Sequence, residues 1–165
     1  MDDTTAATPP AVTETLETDL LIVGAGPAGL YAAYYAGFRG LSVVLMDSLP
    51  EPGGQVAAMY PEKKIYDVAG FPVIKGQDLV DNLVEQAGAF DPVYRLGHRA
   101  EHLAHDPDGE HVRVTSHKGT QVVAKAVIIT GGIGTFTPRP LPDAEDFEGR
   151  GLMYFVPRLD ALKGL

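Results

Sequence analysis

Three glycines, Gly24, Gly26 and Gly29, and one acid, Asp47, are the residues whose types and spacing point most directly to chemistry. Set in the order strand, glycine-rich turn, helix, each glycine has its own task. Gly24 allows the tight turn. Gly26 lets backbone approach a pyrophosphate with no Cβ in between, and Gly29 lets the helix pack closely on the strand. Pro27 occupies the first helical position, where its missing N–H would have had no partner, and Ala28 follows it. The helix start then turns unpaired N–H groups and the positive end of its dipole towards an anion. Asp47 ends a second apolar strand 18 residues beyond Gly29, where a carboxylate meets a ribose hydroxyl. The chemistry implied is the binding of a dinucleotide.

Other reactive groups are sparse. The chain has no cysteine, which excludes disulfides, thiolate metal sites, iron–sulfur clusters and dithiol relays within these residues. His98, His102, His105, His111 and His117 lack carboxylate partners at a metal-ligand spacing, so a solvated surface is expected and no metal. Ser42, Ser48 and Ser116 have no nucleophile-elbow setting, and no catalytic residue is identified. Of the net charge of −9, Asp2, Asp3, Glu14, Glu17 and Asp19 supply −5 within the first 19 residues. The remainder is an ordinary surface, which argues against nucleic-acid binding. Lys63-Lys64 reads either as a solvated loop or as an aid to docking an acidic protein partner.

These residues need elements to position them. At 165 residues the chain holds one domain with a real core. Residues 1–17 are rich in Thr, Ala, Pro and acid and are expected to be a disordered tail. Residues 20–23 form a short apolar strand, followed by an alanine-rich helix that Gly37 and Gly40 close, and by a strand over 41–46. Residues 48–72 are long and irregular, the kind of connection that carries function. Gly76-Gln77-Asp78 opens a helix with Leu79, Leu83, Val84 and Ala87 on one face, running to about Phe90. Residues 94–104 read as strand, and Asp108-Gly109 and Lys118-Gly119 as hairpin turns around the alternating strand 111–115. A third buried strand is expected over 126–130, ending in Gly131-Gly132-Ile133-Gly134. The fold class is α/β, a Rossmann-like dinucleotide domain with a parallel sheet plus a small β-hairpin or meander insertion. No apolar run reaches a membrane-spanning length and no signal peptide is evident, so a cytoplasmic location is expected and no membrane association.

Gly53-Gly54-Gln55, the stretch from Tyr60-Pro61-Glu62-Lys63 to Pro72, and Phe136-Thr137-Pro138-Arg139-Pro140-Leu141 carry a more specific signal. With the glycine fingerprint, residues 18–165 resemble the thioredoxin-reductase-like ferredoxin–NADP reductases. That resemblance implies FAD in the first fingerprint, with Gly24, Gly26, Pro27, Ala28 and Gly29 cradling the pyrophosphate. Asp47, one methylene shorter than the Glu more often found there, would hold the adenosine ribose. Gly53, Gly54, Gln55 and Tyr60 would lie along the flavin, and Ala100 would meet the adenine through its backbone. Thr130, Gly131 and Gly132, within the stretch to Gly134, would pass beneath the cofactor, and Phe136 would pack near it. Backbone freedom at the glycine pair, the donor and acceptor of Gln55 and the polar-tipped ring of Tyr60 suit a flavin edge. The same residues also read as a plain turn and as core aromatics.

The resemblance implies a flavoprotein oxidoreductase passing electrons between NADPH and ferredoxin or flavodoxin, with NADP(H) as co-substrate and a possible homodimer. Full-length members are about twice as long, in keeping with two domains. The chain is therefore expected to be an incomplete FAD-binding domain, 18–165, whose NADPH domain and C-terminal return are absent and which binds FAD weakly or folds incompletely. Alternatives are an FAD-binding module without turnover, or a related FAD-dependent, thioredoxin-reductase-like enzyme with another acceptor.

Overall fold

The computed structural model describes residues 10–107, 109–134, 140–147, 149–154 and 159–164. The elements that carry the site are β1 (Glu14–Val23), α1 (Pro27–Phe38), β2 (Val43–Asp47), α2 (Gly54–Met59), β3 (Lys64–Ile65) and β4 (Ile74–Lys75). They are followed by α3 (Gly76–Gly88), β5 (Val93–Leu96), β6 (Ala100–His105), β7 (Val112–Ser116) and β8 (Thr120–Ile129). Six strands form one sheet in the order β5-β2-β1-β8-β7-β6, while β3 and β4 pair as a separate ribbon. Strands β5, β2, β1 and β8 run parallel, with Ile22 opposite both Leu45 and Ile128. Strands β6 and β7 extend the sheet as antiparallel neighbours. The chain leaves β1 towards β2 on one side and meets β8 on the other, so a switch point lies between β1 and β8. In open parallel sheets that is where a crevice forms beyond the strand ends.

The two faces of the sheet hold two cores. Leu20 and Ile22 of β1 and Val43 and Leu45 of β2 are covered by Ala33 and Ala36 of α1 and Ala87 of α3. Small side chains on α1 let the helix sit close. Gly37 admits Phe90, just beyond α3, against α1, since a Cβ there would lie 2.3 Å from the Phe90 Cβ. On the other face Leu21, Val44 and Met46 meet Val114, Val122 and Ala124. Complete burial of Leu21, Ile22 and Leu45 is worth roughly 1.5–3 kcal/mol each.

That second core exists because the sheet curls. Glu14 lies nine residues before Val23, about 30 Å along an extended strand. Arg95 sits level with Met46 and Val23, yet its guanidinium holds the Glu14 carboxylate at 2.6 and 3.2 Å. A flat sheet could not bring them together. The first half of β1 therefore bends over with β8 and β7, and Asp19 braces the bend. Its carboxylate accepts from Ser42 N at 2.9 Å, Ser42 Oγ at 2.7 Å and Lys125 Nζ at 2.7 Å.

Several sequence expectations change. The tail expected over 1–17 is shorter, because residues 14–17 are strand and pair with residues 120–123 of β8; residues 1–9 lie outside the described residues. The single strand expected over 94–104 is two strands with separate partners, broken at Gly97, whose φ is +68°. The connection over 48–72 contains α2 and half of the β3–β4 ribbon. The expected meander is β6–β7–β8, and β8 is the strand it shares with the parallel layer. The strand expected over 126–130 to be buried is exposed at its end, with Ile128 at 41% and Ile129 at 72%. Strand β7 pairs only with residues 121–124, so the edge of β8 over 125–129 is open among the described residues.

Candidate functional site

The turn between β1 and α1 is built by local backbone chemistry. Gly24 has φ +112°, and a Cβ there would stand 2.4 Å from the Thr130 carbonyl oxygen. At Gly29 a Cβ would lie 1.8 Å from the Gly24 carbonyl oxygen, so the first turn of α1 closes on the loop itself. Gly26 differs. Its φ of −73° suits any residue, and the nearest atom to a Cβ is Gly54 Cα at 3.9 Å. Of the three fingerprint glycines, Gly26 alone keeps space that the fold does not need. It caps α1 with no side-chain hydrogen bond, so the first-turn N–H groups are left to face an anion.

Two segments brace this turn. Thr130 N donates to Val23 O at 2.7 Å, and Thr130 Oγ1 donates to Gly24 O at 2.9 Å. This holds the start of the Gly131–Gly134 stretch against the loop. The Asp47 carboxylate, 9% exposed, accepts from Ala25 N at 2.6 Å and Leu49 N at 2.8 Å. The expected ribose acid is thus also the staple joining the glycine turn to the chain after β2. A carboxylate offers about four acceptor sites, so both oxygens retain capacity for a hydroxyl. From the third side, Gly53 N donates to Ala25 O at 2.8 Å, which brings Gly54 alongside Gly26.

Together these segments enclose a cavity of about 420 Å³ at the switch point, within the usual range for ligand sites. Gly24, Gly26, Pro27, Ala28, Asp47 and Ala100 line it. Gly54 and Gln55, with Gly54 beside Gly26, and Thr130, Gly131 and Gly132 line it too. Eleven of the fifteen residues expected from sequence therefore meet in one place. Gly29 supports the turn from behind. Gly53 faces α3, where a Cβ would lie 2.7 Å from Val80 Cγ1. The role expected for it at a flavin edge does not fit, since its N–H is bound to Ala25. Tyr60 stands outside the lining residues with the Lys63 ammonium 5.3 Å from its ring centre. Phe136 lies outside the described residues.

Met46, Ser48, Leu49, Val56, Arg99, Ile133 and Gly134 complete the walls with Val23. Of these, Ser48 and Leu49 were open to inference, because they directly follow the C-terminal end of a parallel strand. Arg99 was not. Its guanidinium reaches Glu101 at 2.5 Å, and its N–H donates to His117 Nδ1 at 3.1 Å, a contact that depends on the pairing of β6 with β7. That guanidinium holds the Glu101 carboxyl below the usual carboxylate range. Among the described residues no cluster of His, Asp and Glu could hold a metal, and no helix is long and apolar enough to cross a membrane.

Residues 18–156 match the family described as pyridine nucleotide-disulphide oxidoreductase. Curated relatives include proteins named ferredoxin–NADP reductase from Frankia alni, 69% identical over 86% of this chain, and from Frankia casuarinae, 64% identical over 88%. The chain spans 43% and 44% of their lengths. Among solved structures, thioredoxin reductase from T. acidophilum is 28% identical with a TM-score of 0.64, covering 82% of this chain and 41% of its own.

Proposed function

The chain belongs to the pyridine nucleotide-disulphide oxidoreductase family, and from that premise we propose that it is the FAD-binding part of a flavoprotein reductase. The reaction of the whole would pass electrons between NADPH and ferredoxin, as the names of the curated relatives suggest, with flavodoxin as an alternative carrier. The observation that carries the reading is Gly26, a backbone cradle that a Cβ would fill, beside a helix start, in a cavity that the Asp47 carboxylate also lines.

The residues present fit FAD. The pyrophosphate would rest on Gly26 and the first turn of α1, held by N–H groups and the helix dipole. The adenosine would lie between Asp47 and the backbone of Ala100, and the flavin would extend towards Gly54 and Gln55. Asp47 disfavours a 2′-phosphate at this position by like-charge repulsion, so the first loop suits FAD better than NADP. Bound flavin supplies hydride acceptance and one-electron release. This chain's residues bind it, orient it and keep the pyrophosphate against N–H donors, tasks that need neither a nucleophile nor a metal.

The test is an equilibrium titration of FAD fluorescence with the chain and with Gly26→Ala. Saturable quenching by the chain that Gly26→Ala weakens at least tenfold is expected. Absence of saturable binding, or equal preference for NADPH, would sink the reading.

A further inference from the structure

The β3–β4 ribbon pairs Lys64 with Lys75 and Ile65 with Ile74. Directly opposed residues of an antiparallel pair share a face, and like charges there destabilise it. The isoleucines explain why the ribbon forms, since Ile74 is 8% exposed and Ile65 is half-buried. The lysines do not serve the fold. Both are exposed, they repel across the ribbon, and they stand in a chain of net charge −9.

Their surroundings look like a contact surface. Lys63 adjoins them over the Tyr60 ring. Tyr66, Phe71 and Val73 are exposed nearby, Tyr66 at 68%. Between residues 62 and 75 three lysines stand against Glu62 and Asp67, a net charge of +1 in a chain of −9. The ribbon is also tied to the cavity. Helix α2 begins at the cavity wall with Gly54 and Gln55 and spans about 9 Å along its six residues. Lys63 N then donates to Tyr60 O, and Gly76 N to Lys63 O, so the ribbon is hydrogen-bonded to the end of that helix.

We propose that this ribbon docks an acidic protein partner beside the cavity. Carboxylates of the partner meet Lys64 and Lys75, relieving their repulsion, while Tyr66, Phe71 and Val73 give apolar contact. Charge complementarity of this kind steers encounter and fixes orientation. The partner's identity as an acidic electron carrier rests on the function proposed above.

The test titrates the full chain, with FAD present, against an acidic ferredoxin by calorimetry at 25 and 200 mM NaCl. Lys64→Glu places opposite charges across the ribbon, so its thermal midpoint holds or rises while ferredoxin affinity at low salt falls at least tenfold and depends less on salt. Lys75→Glu repeats this from the other strand. Lys118→Glu, on the β7–β8 turn, leaves affinity within twofold. Unchanged affinity in both ribbon variants overturns the proposal, as does an equal loss in Lys118→Glu. So does a ribbon whose charge reversal alters only self-association of the chain in sedimentation. Flavin binding is read in the same samples. Its failure with ferredoxin docking intact removes the flavoprotein reading and leaves the dock, and the reverse outcome removes only the dock.

Discussion

Two glycines three residues apart have opposite reasons to be glycine, and substitution separates them. Ala at Gly29 would drive a methyl into the Gly24 carbonyl oxygen, so Gly29→Ala is expected to lose about 3 kcal/mol or more in urea unfolding, with binding lost as a consequence. Ala at Gly26 meets nothing closer than 3.9 Å and has an ordinary φ. Its stability should stay level or rise by about 0.5–1 kcal/mol, while FAD affinity falls at least tenfold. If both variants lose stability and affinity together, the cradle reading fails. Asp47 makes a third case. In Asp47→Asn an amide N–H₂ must face either Ala25 N–H or Leu49 N–H, replacing a charge-assisted bond at a nearly buried position. Urea unfolding should show a loss of about 2 kcal/mol, and an unchanged midpoint would show that the staple contributes nothing.

At the scale of elements, the bend in β1 governs whether the second core forms. Asp19 holds that bend, and the Lys125 ammonium with the Ser42 bonds keeps its carboxyl well below the ordinary carboxylate value of 3.8. A depressed carboxylate contributes stability that is present above its unfolded value and lost as pH falls towards the folded one. The thermal midpoint of the wild type should therefore fall as pH drops below about 4, and Asp19→Asn should flatten that part of the profile. Parallel profiles would show that the bend does not depend on the charge. His98 contributes in another window. Burial, then Lys118 and His117, push its pKa below 6.5, so the folded state favours the neutral ring and stability declines as pH falls below that value.

For the whole molecule, the open edge of β8 is the prominent liability. Residues 125–129 pair only with β1 among the described residues, and Ile128, Ile129 and Ile133 are 41%, 72% and 64% exposed. An apolar strand edge with free N–H and C=O groups is a template for pairing with another chain. The 165-residue chain is expected to bind a hydrophobic dye and to sediment with concentration-dependent association at tens of micromolar. Ile129→Lys should reduce both, because a charge on an edge opposes pairing. A chain that stays monomeric with no dye signal would contradict this.

What could be read from the sequence was whatever local backbone chemistry dictates. Gly24 needs a positive φ, Gly29 needs close packing, Pro27 needs a helix start and Asp47 ends a strand, and each requirement is met within a few residues of the chain. The same holds for the Thr130–Gly134 turn and for the apolar runs that become the parallel strands, though their pairing is long-range. The tertiary structure decided what depends on partners distant in sequence. It placed Gly53 on Ala25 and Tyr60 under Lys63, away from the cavity, and it brought Arg99 to the wall through its pairing with residue 117. It curled the sheet so that Glu14 reaches Arg95, and it set Lys64 against Lys75. Composition could not distinguish the exposed Ile128 and Ile129 from the buried Ile22. An apolar run records that a strand forms, whereas burial depends on what packs against the faces of the sheet there.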